Sequence, residues 1–103
     1  MAVTKGNKQC TAIVSYRVKH EDVDTFLEAW QKANDFLKKQ PGHVSSTLHR
    51  AISANPAFRF VNVAKWKTVD DFRDATQAVG YQEAAGRLTA YPVYAAAYEA
   101  VPS

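Results

Sequence analysis

A second cysteine is the first thing missing: Cys10 is alone in a chain of 103 residues. No internal disulfide can form, and a reducing compartment, the cytoplasm, is the expected setting. No apolar run approaches the roughly 20 residues of a membrane span, and no leader with a charged start and an apolar centre precedes the first strand-like segment. A membrane is therefore not an expected partner. Charge of one sign is also scarce, with a net value of only +3. Lys5, Lys8, Lys38, Lys39, Lys65 and Lys67 are dispersed rather than striped with aromatics, which gives nucleic acid no footprint. No glycine-rich loop follows the first strand, so a nucleotide's phosphates have no seat. No serine stands in a nucleophile elbow and Cys10 lies in a polar opening stretch, so neither triad hydrolysis nor thiol catalysis is indicated. His43 and His49 share the parity of one predicted strand, but six residues of strand span about 20 Å, too far for one metal ion. His20 falls at a predicted helix start. No metal is expected.

What is present describes one ordinary domain, with 47% apolar and 22% charged residues. Residues 1–10 read as a flexible lead-in and 11–103 as a single domain. Thr11–Lys19 alternates and is rich in Ile, Val and Tyr, as a strand does. Val23, Phe26, Leu27, Trp30, Ala33 and Leu37 follow helical spacing until Pro41-Gly42 stops the helix. His43–Ile52 and Phe58–Trp66 read as strands joined by the turn-prone Ser53-Ala54-Asn55-Pro56-Ala57. Thr68, with Asp71 three residues on, opens a second helix whose inner face is Val69, Phe72, Ala75 and Val79, ending at Gly80. Tyr81, Ala84, Ala85 and Leu88 suggest a further helical piece before Pro92, and Val93–Val101 a last strand.

The order β-α-β-β-α-β favours an α+β, ferredoxin-like domain: a four-stranded antiparallel sheet with its helices on one face. The other face is then left bare. It would carry Val61 and Val63, and the last strand is apolar on both parities. Contiguous exposed apolar surface marks an interface, so two copies are expected to pack sheet to sheet as a homodimer.

The segment Phe58–Ala75, FRFVNVAKWKTVDDFRDA, holds the most information about function. Its strand turns Phe58, Phe60, Asn62, Ala64 and Trp66 to one face, beneath a helix. Asparagine is poorly suited to a strand interior and costly to bury without partners. Either Asn62 is satisfied by neighbouring backbone and Trp66 is core, or both line a small-molecule cavity between sheet and helix.

Gly42–His49 (GHVSSTLH), Asn62–Trp66 (NVAKW) and the capped TVDDF after it resemble the antibiotic-biosynthesis monooxygenase (ABM) family, from about Thr11 to Val101. The resemblance implies a dimeric α+β barrel of ferredoxin-like subunits. The pattern is most similar to the family's cofactor-free monooxygenases of the actinorhodin-biosynthesis type, which oxidise a polycyclic phenol to a quinone with molecular oxygen. It implies Asn62, Trp66, His49 and Arg87 as catalytic residues, with Phe60, Phe72, Tyr81 and Trp30 around a small aromatic substrate. The family's helix tyrosine falls on Phe72, which has no hydroxyl; Tyr81 is the substitute. A haem-degrading branch of the superfamily is the enzymatic alternative, but its asparagine, tryptophan and ligand histidine fall on Tyr16, Ala75 and Ala85. A non-catalytic binding or stress-response dimer is the third reading.

Overall fold

The computed structural model describes residues 9–102. Four strands, β1 (Cys10–Tyr16), β2 (His43–Arg50), β3 (Phe60–Trp66) and β4 (Val93–Tyr98), form one antiparallel sheet in the order β2-β3-β1-β4. Helices α1 (Val23–Leu37), α2 (Val69–Thr76) and α3 (Tyr81–Ala85) lie on one face, with tight helical turns at His20–Asp22 and Gly86–Ala90. This is the ferredoxin-like arrangement expected from the element order.

Side-chain parity builds the core. The β1 residues Cys10, Ala12 and Tyr16 and the β3 residues Phe60, Asn62, Ala64 and Trp66 are buried under the helices. From α1 come Phe26, Ala29 and Ala33, spaced to form one apolar stripe. One half of the core centres on Phe26, stacked on Phe60 at 4.7 Å and meeting Tyr16 edge-on at 5.0 Å. Full burial of such a ring contributes about 1.5–3 kcal/mol. The other half centres on Trp66, with Ala12, Ala64, Ala75 and half-buried Phe72.

Local signals fix the helix boundaries. The Thr68 hydroxyl accepts the Asp71 amide at 3.0 Å, capping α2. Gly42 adopts φ +86°, and a Cβ there would collide with the Asp71 side chain. Glycine therefore lets the start of α2 close over the turn before β2, where the Lys67 amide donates to the Gly42 carbonyl at 2.8 Å.

Several expectations are corrected. Of the proposed lead-in, residues 1–8 lie outside the described residues, but Cys10 opens β1, opposite Trp66, and is 3% exposed. Strand β3 begins at Phe60; Phe58 instead sits beneath the Arg17 guanidinium. Strand β2 ends at Arg50, leaving Ile52 fully exposed, and β4 ends at Tyr98. Helix α2 ends at Thr76, so Val79 is solvent-exposed rather than on an inner face. Gly80, at φ +95°, precedes α3 instead of terminating α2. A β-bulge between His43 and Ser45 breaks the parity of β2, so His43 and His49 do not share a face.

Candidate functional site

A cavity of about 290 Å³ lies between the sheet and the helices, bordered by both halves of the core. Its exposed lining residues Thr89, Val93 and Ala95 mark the mouth, beside β4. Its floor comes from β3, which places Asn62 opposite Val14 on one neighbouring strand and Leu48 on the other. Trp66 stands four residues on, on the same face.

Both residues are buried, Asn62 at 8% exposure and Trp66 at 1%. The Asn62 Oδ1 and Trp66 Nε1 atoms are fully enclosed and have no hydrogen-bond partner among the described residues. Leaving one such group unsatisfied costs about 1–3 kcal/mol, so most buried polar groups are paired. Here an acceptor and a donor on one strand are both orphaned at a cavity wall.

Because of the bulge, His43 turns in toward Trp66, ring edge to ring face at 5.1 Å. Its Nε2 lies 2.9 Å from the Ser46 hydroxyl, which donates onward to Asn34 Oδ1 on α1, also at 2.9 Å. Burial lowers the pKa of His43 below the ordinary imidazole value of 6.5, so the ring is neutral at pH 7. Burial, then the neighbouring Tyr81, drives the Tyr16 phenol far up, and burial raises Tyr81 too. Both tyrosines remain protonated donors. The Cys10 thiol, raised by burial and then by the Asp71 charge, has no thiolate character. Among the described lining residues there is no Asp, Glu, Lys or Arg, and no three His, Cys, Asp or Glu side chains of the described chain group as a metal site. The cavity suits an uncharged, largely apolar molecule with a hydroxyl or carbonyl edge.

Of the residues expected at the site, Asn62, Trp66, Phe72, Tyr81 and Trp30 line this cavity together. Phe60 does not; its ring is committed to the stack with Phe26. His49 pairs with Val61 on the opposite face of the sheet and is exposed, because β2 keeps strict alternation beyond its bulge. Arg87 is exposed on the tight turn, between the lining residues Ala85 and Leu88. His43, Ser46, Asn34 and Tyr16 were not anticipated. Asn34 carried a usable signal, a polar residue four positions after Trp30 on the inner side of an apolar helix. The bulge that redirects His43 carries none in the alternation pattern.

Comparison with known proteins agrees with this architecture. Residues 10–87 match the model of a family described as antibiotic biosynthesis monooxygenase. No curated protein sequence matches the chain. Among solved structures, a candidate monooxygenase from Shewanella loihica is 26% identical, with 93% of this chain and 97% of that one covered and a TM-score of 0.80. A mutant of SnoaB, a cofactor-independent oxygenase from Streptomyces nogalater, is 24% identical over 93% and 96% of the two chains, with a TM-score of 0.77. A dimeric protein of unknown function and ferredoxin-like fold from Bacteroides fragilis is 13% identical over 88% and 95%, with a TM-score of 0.69. At their identities, the last two speak for the fold alone.

Proposed function

Because the chain belongs to the antibiotic biosynthesis monooxygenase family, we propose that it oxidises an electron-rich, uncharged phenol of the naphthol, anthrone or hydroquinone type to a quinone with molecular oxygen and no cofactor. The observation that carries this reading is the orphaned pair Asn62 Oδ1 and Trp66 Nε1, on two residues that line a cavity with no charged side chain among its described lining. A phenol supplies the missing donor and, on the same or a neighbouring ring, the missing acceptor.

The substrate itself is the electron source. Loss of the phenolic proton gives an anion able to pass one electron to oxygen, and recombination of the resulting pair forms a carbon–oxygen bond. Breaking of the O–O bond and of the C–H bond at the same carbon then releases water and leaves the quinone, so one oxygen atom enters the ring and the other leaves as water. The protein's work is to hold the ring in the cavity that Trp30 and Phe72 help to line, exclude water and stabilise developing negative charge. The indole N–H of Trp66 and the phenols of Tyr16 and Tyr81 are preorganised donors for that charge. Asn62 Oδ1 orients the substrate hydroxyl before its proton departs.

A homodimer is the proposed functional unit. The sheet face away from the helices carries Ile13, Val61, Val63 and Ala96, with Tyr94 67% and Tyr98 47% exposed beside them. An apolar face of this kind invites a second copy.

The test is oxygen uptake by purified protein stripped of metal and flavin, offered a panel of naphthols, hydroquinones and anthrones. Uptake stoichiometric with quinone, with one atom of labelled oxygen in the product, is expected. No stimulated uptake by any member of the panel would overturn the proposal, and stoichiometric hemin binding with ascorbate-driven ring cleavage would replace it with haem chemistry.

A further inference from the structure

We infer that His43 is the group that takes the phenolic proton, with Nδ1 as the accepting atom and with Ser46 and Asn34 as the residues that position its ring. The inference rests on the phenol reading above and adds to it the identity of the base.

With Asn34 turning its Oδ1 to Ser46, the hydrogen-bond directions select one tautomer of His43. A serine hydroxyl has one proton, and Ser46 donates it to Asn34 Oδ1 at 2.9 Å. The Ser46 oxygen can therefore only accept from His43 Nε2, also at 2.9 Å, so Nε2 carries the N–H of the neutral ring. Nδ1 is left with the lone pair, and it makes no hydrogen bond among the described residues. A base oriented through its other nitrogen by a polar chain is the arrangement that general-base catalysis requires.

No other lining residue serves. Tyr16 and Tyr81 hold their protons, Asn62, Asn34, Ser46 and the threonines do not titrate, and no carboxylate or amine of the described residues borders the cavity. Facing His43 are Asn34 from α1, Ser46 from its own strand and Trp66 from β3, all uncharged. On the α2 side the one carboxylate shown nearby, Asp71, packs against Gly42. In the step itself, the phenol hydroxyl turns its one proton from Asn62 Oδ1 to His43 Nδ1, the O–H bond breaks and the electron pair stays on the oxygen. The proton bonds to Nδ1, and the imidazolium pairs with the phenolate while Nε2–H still donates to Ser46. The proton returns to the outer peroxide oxygen, which leaves as water together with the hydrogen lost from the oxygenated carbon.

The step is separable from oxygen chemistry. In an anaerobic titration with a naphthol as the probe, the naphtholate absorption band should appear on binding at pH 7, well below the pH at which the free naphthol ionises. His43→Gln should still bind the naphthol but lower the bound anion fraction by about tenfold or more, as expected for removal of a general base. Ser46→Ala should give an intermediate loss, Ser46→Thr should restore the band, and ¹⁵N spectra of histidine-labelled protein should show His43 protonated at Nε2 in the wild type. A naphtholate band undiminished in His43→Gln, a naphthol that stays neutral or unbound in the wild type, or a His43 ring protonated at Nδ1 would each overturn the inference. Naphtholate formation without any oxygen uptake would leave the base assignment standing and remove the monooxygenase reading instead.

Discussion

Asn62 and Trp66 each bury a polar atom left without a partner among the described residues, and the fold tolerates both. Such sites trade stability for function. Asn62→Leu keeps similar bulk and deletes the unsatisfied oxygen, so it should raise stability by about 1 kcal/mol while abolishing turnover; a lower melting temperature would mean that Asn62 is held by protein partners. His43 gives a second residue-scale expectation. Its folded pKa lies below the ordinary value of 6.5, so below that value the unfolded chain binds the proton more readily than the folded one. Stability should therefore decline as pH falls from about 6.5, and His43→Gln should flatten that decline; an unchanged slope in chemical denaturation across this range would contradict it. The site was half legible at this scale. Alternation alone put Asn62 and Trp66 on one buried face, because a regular strand obeys a period of two. The same rule misassigned the histidines, since one extra residue at the bulge exchanges inside for outside and sends His43, not His49, to the cavity.

At the scale of elements, the connection between α1 and β2 and the start of α2 depend on each other. Gly42→Ala introduces a Cβ into the Asp71 side chain at a left-handed backbone position and should destabilise by about 1–3 kcal/mol, read as a lower denaturation midpoint. Because Gly42 precedes His43, the same variant should also weaken phenol binding. Thr68→Ala removes the cap of α2 and should cost about 1 kcal/mol with little effect on binding. A Thr68→Ala protein as stable as the wild type would show that the cap is redundant. Strong local signals made these elements readable: the spacing from Val23 to Leu37, Pro41-Gly42, and Thr68 with Asp71. The stretch after α2 was not readable in the same way. Val79 fits the spacing of Phe72 and Ala75, yet the chain leaves the helix at Gln77 and uses the positive φ of Gly80 to launch α3. Periodicity continues across a break that only the turn geometry creates.

For the molecule as a whole, the sheet has, among the described residues, one face covered by helices and one bare, and the bare face is apolar at its centre. Ile13 and Val63 are direct cross-strand partners there. Val63→Asp should convert a dimer to monomer in sedimentation while the far-ultraviolet spectrum is kept, since a single subunit leaves this position partly open to water whereas a sheet-to-sheet interface would bury the charge. A wild-type protein that sediments as a stable monomer at micromolar concentration would contradict the dimer. The central claim is that the orphaned pair on β3 serves a substrate, and paired variants test it most directly. Asn62→Ala and Trp66→Phe should each lower phenol-dependent oxygen uptake, Asn62→Ala by roughly ten- to a thousandfold, the range for removing one preorganised group, with thermal stability held in Trp66→Phe because most of the ring packing remains. Unchanged uptake in both variants, with stability lost instead, would show that the two residues are core and that the chemistry lies elsewhere.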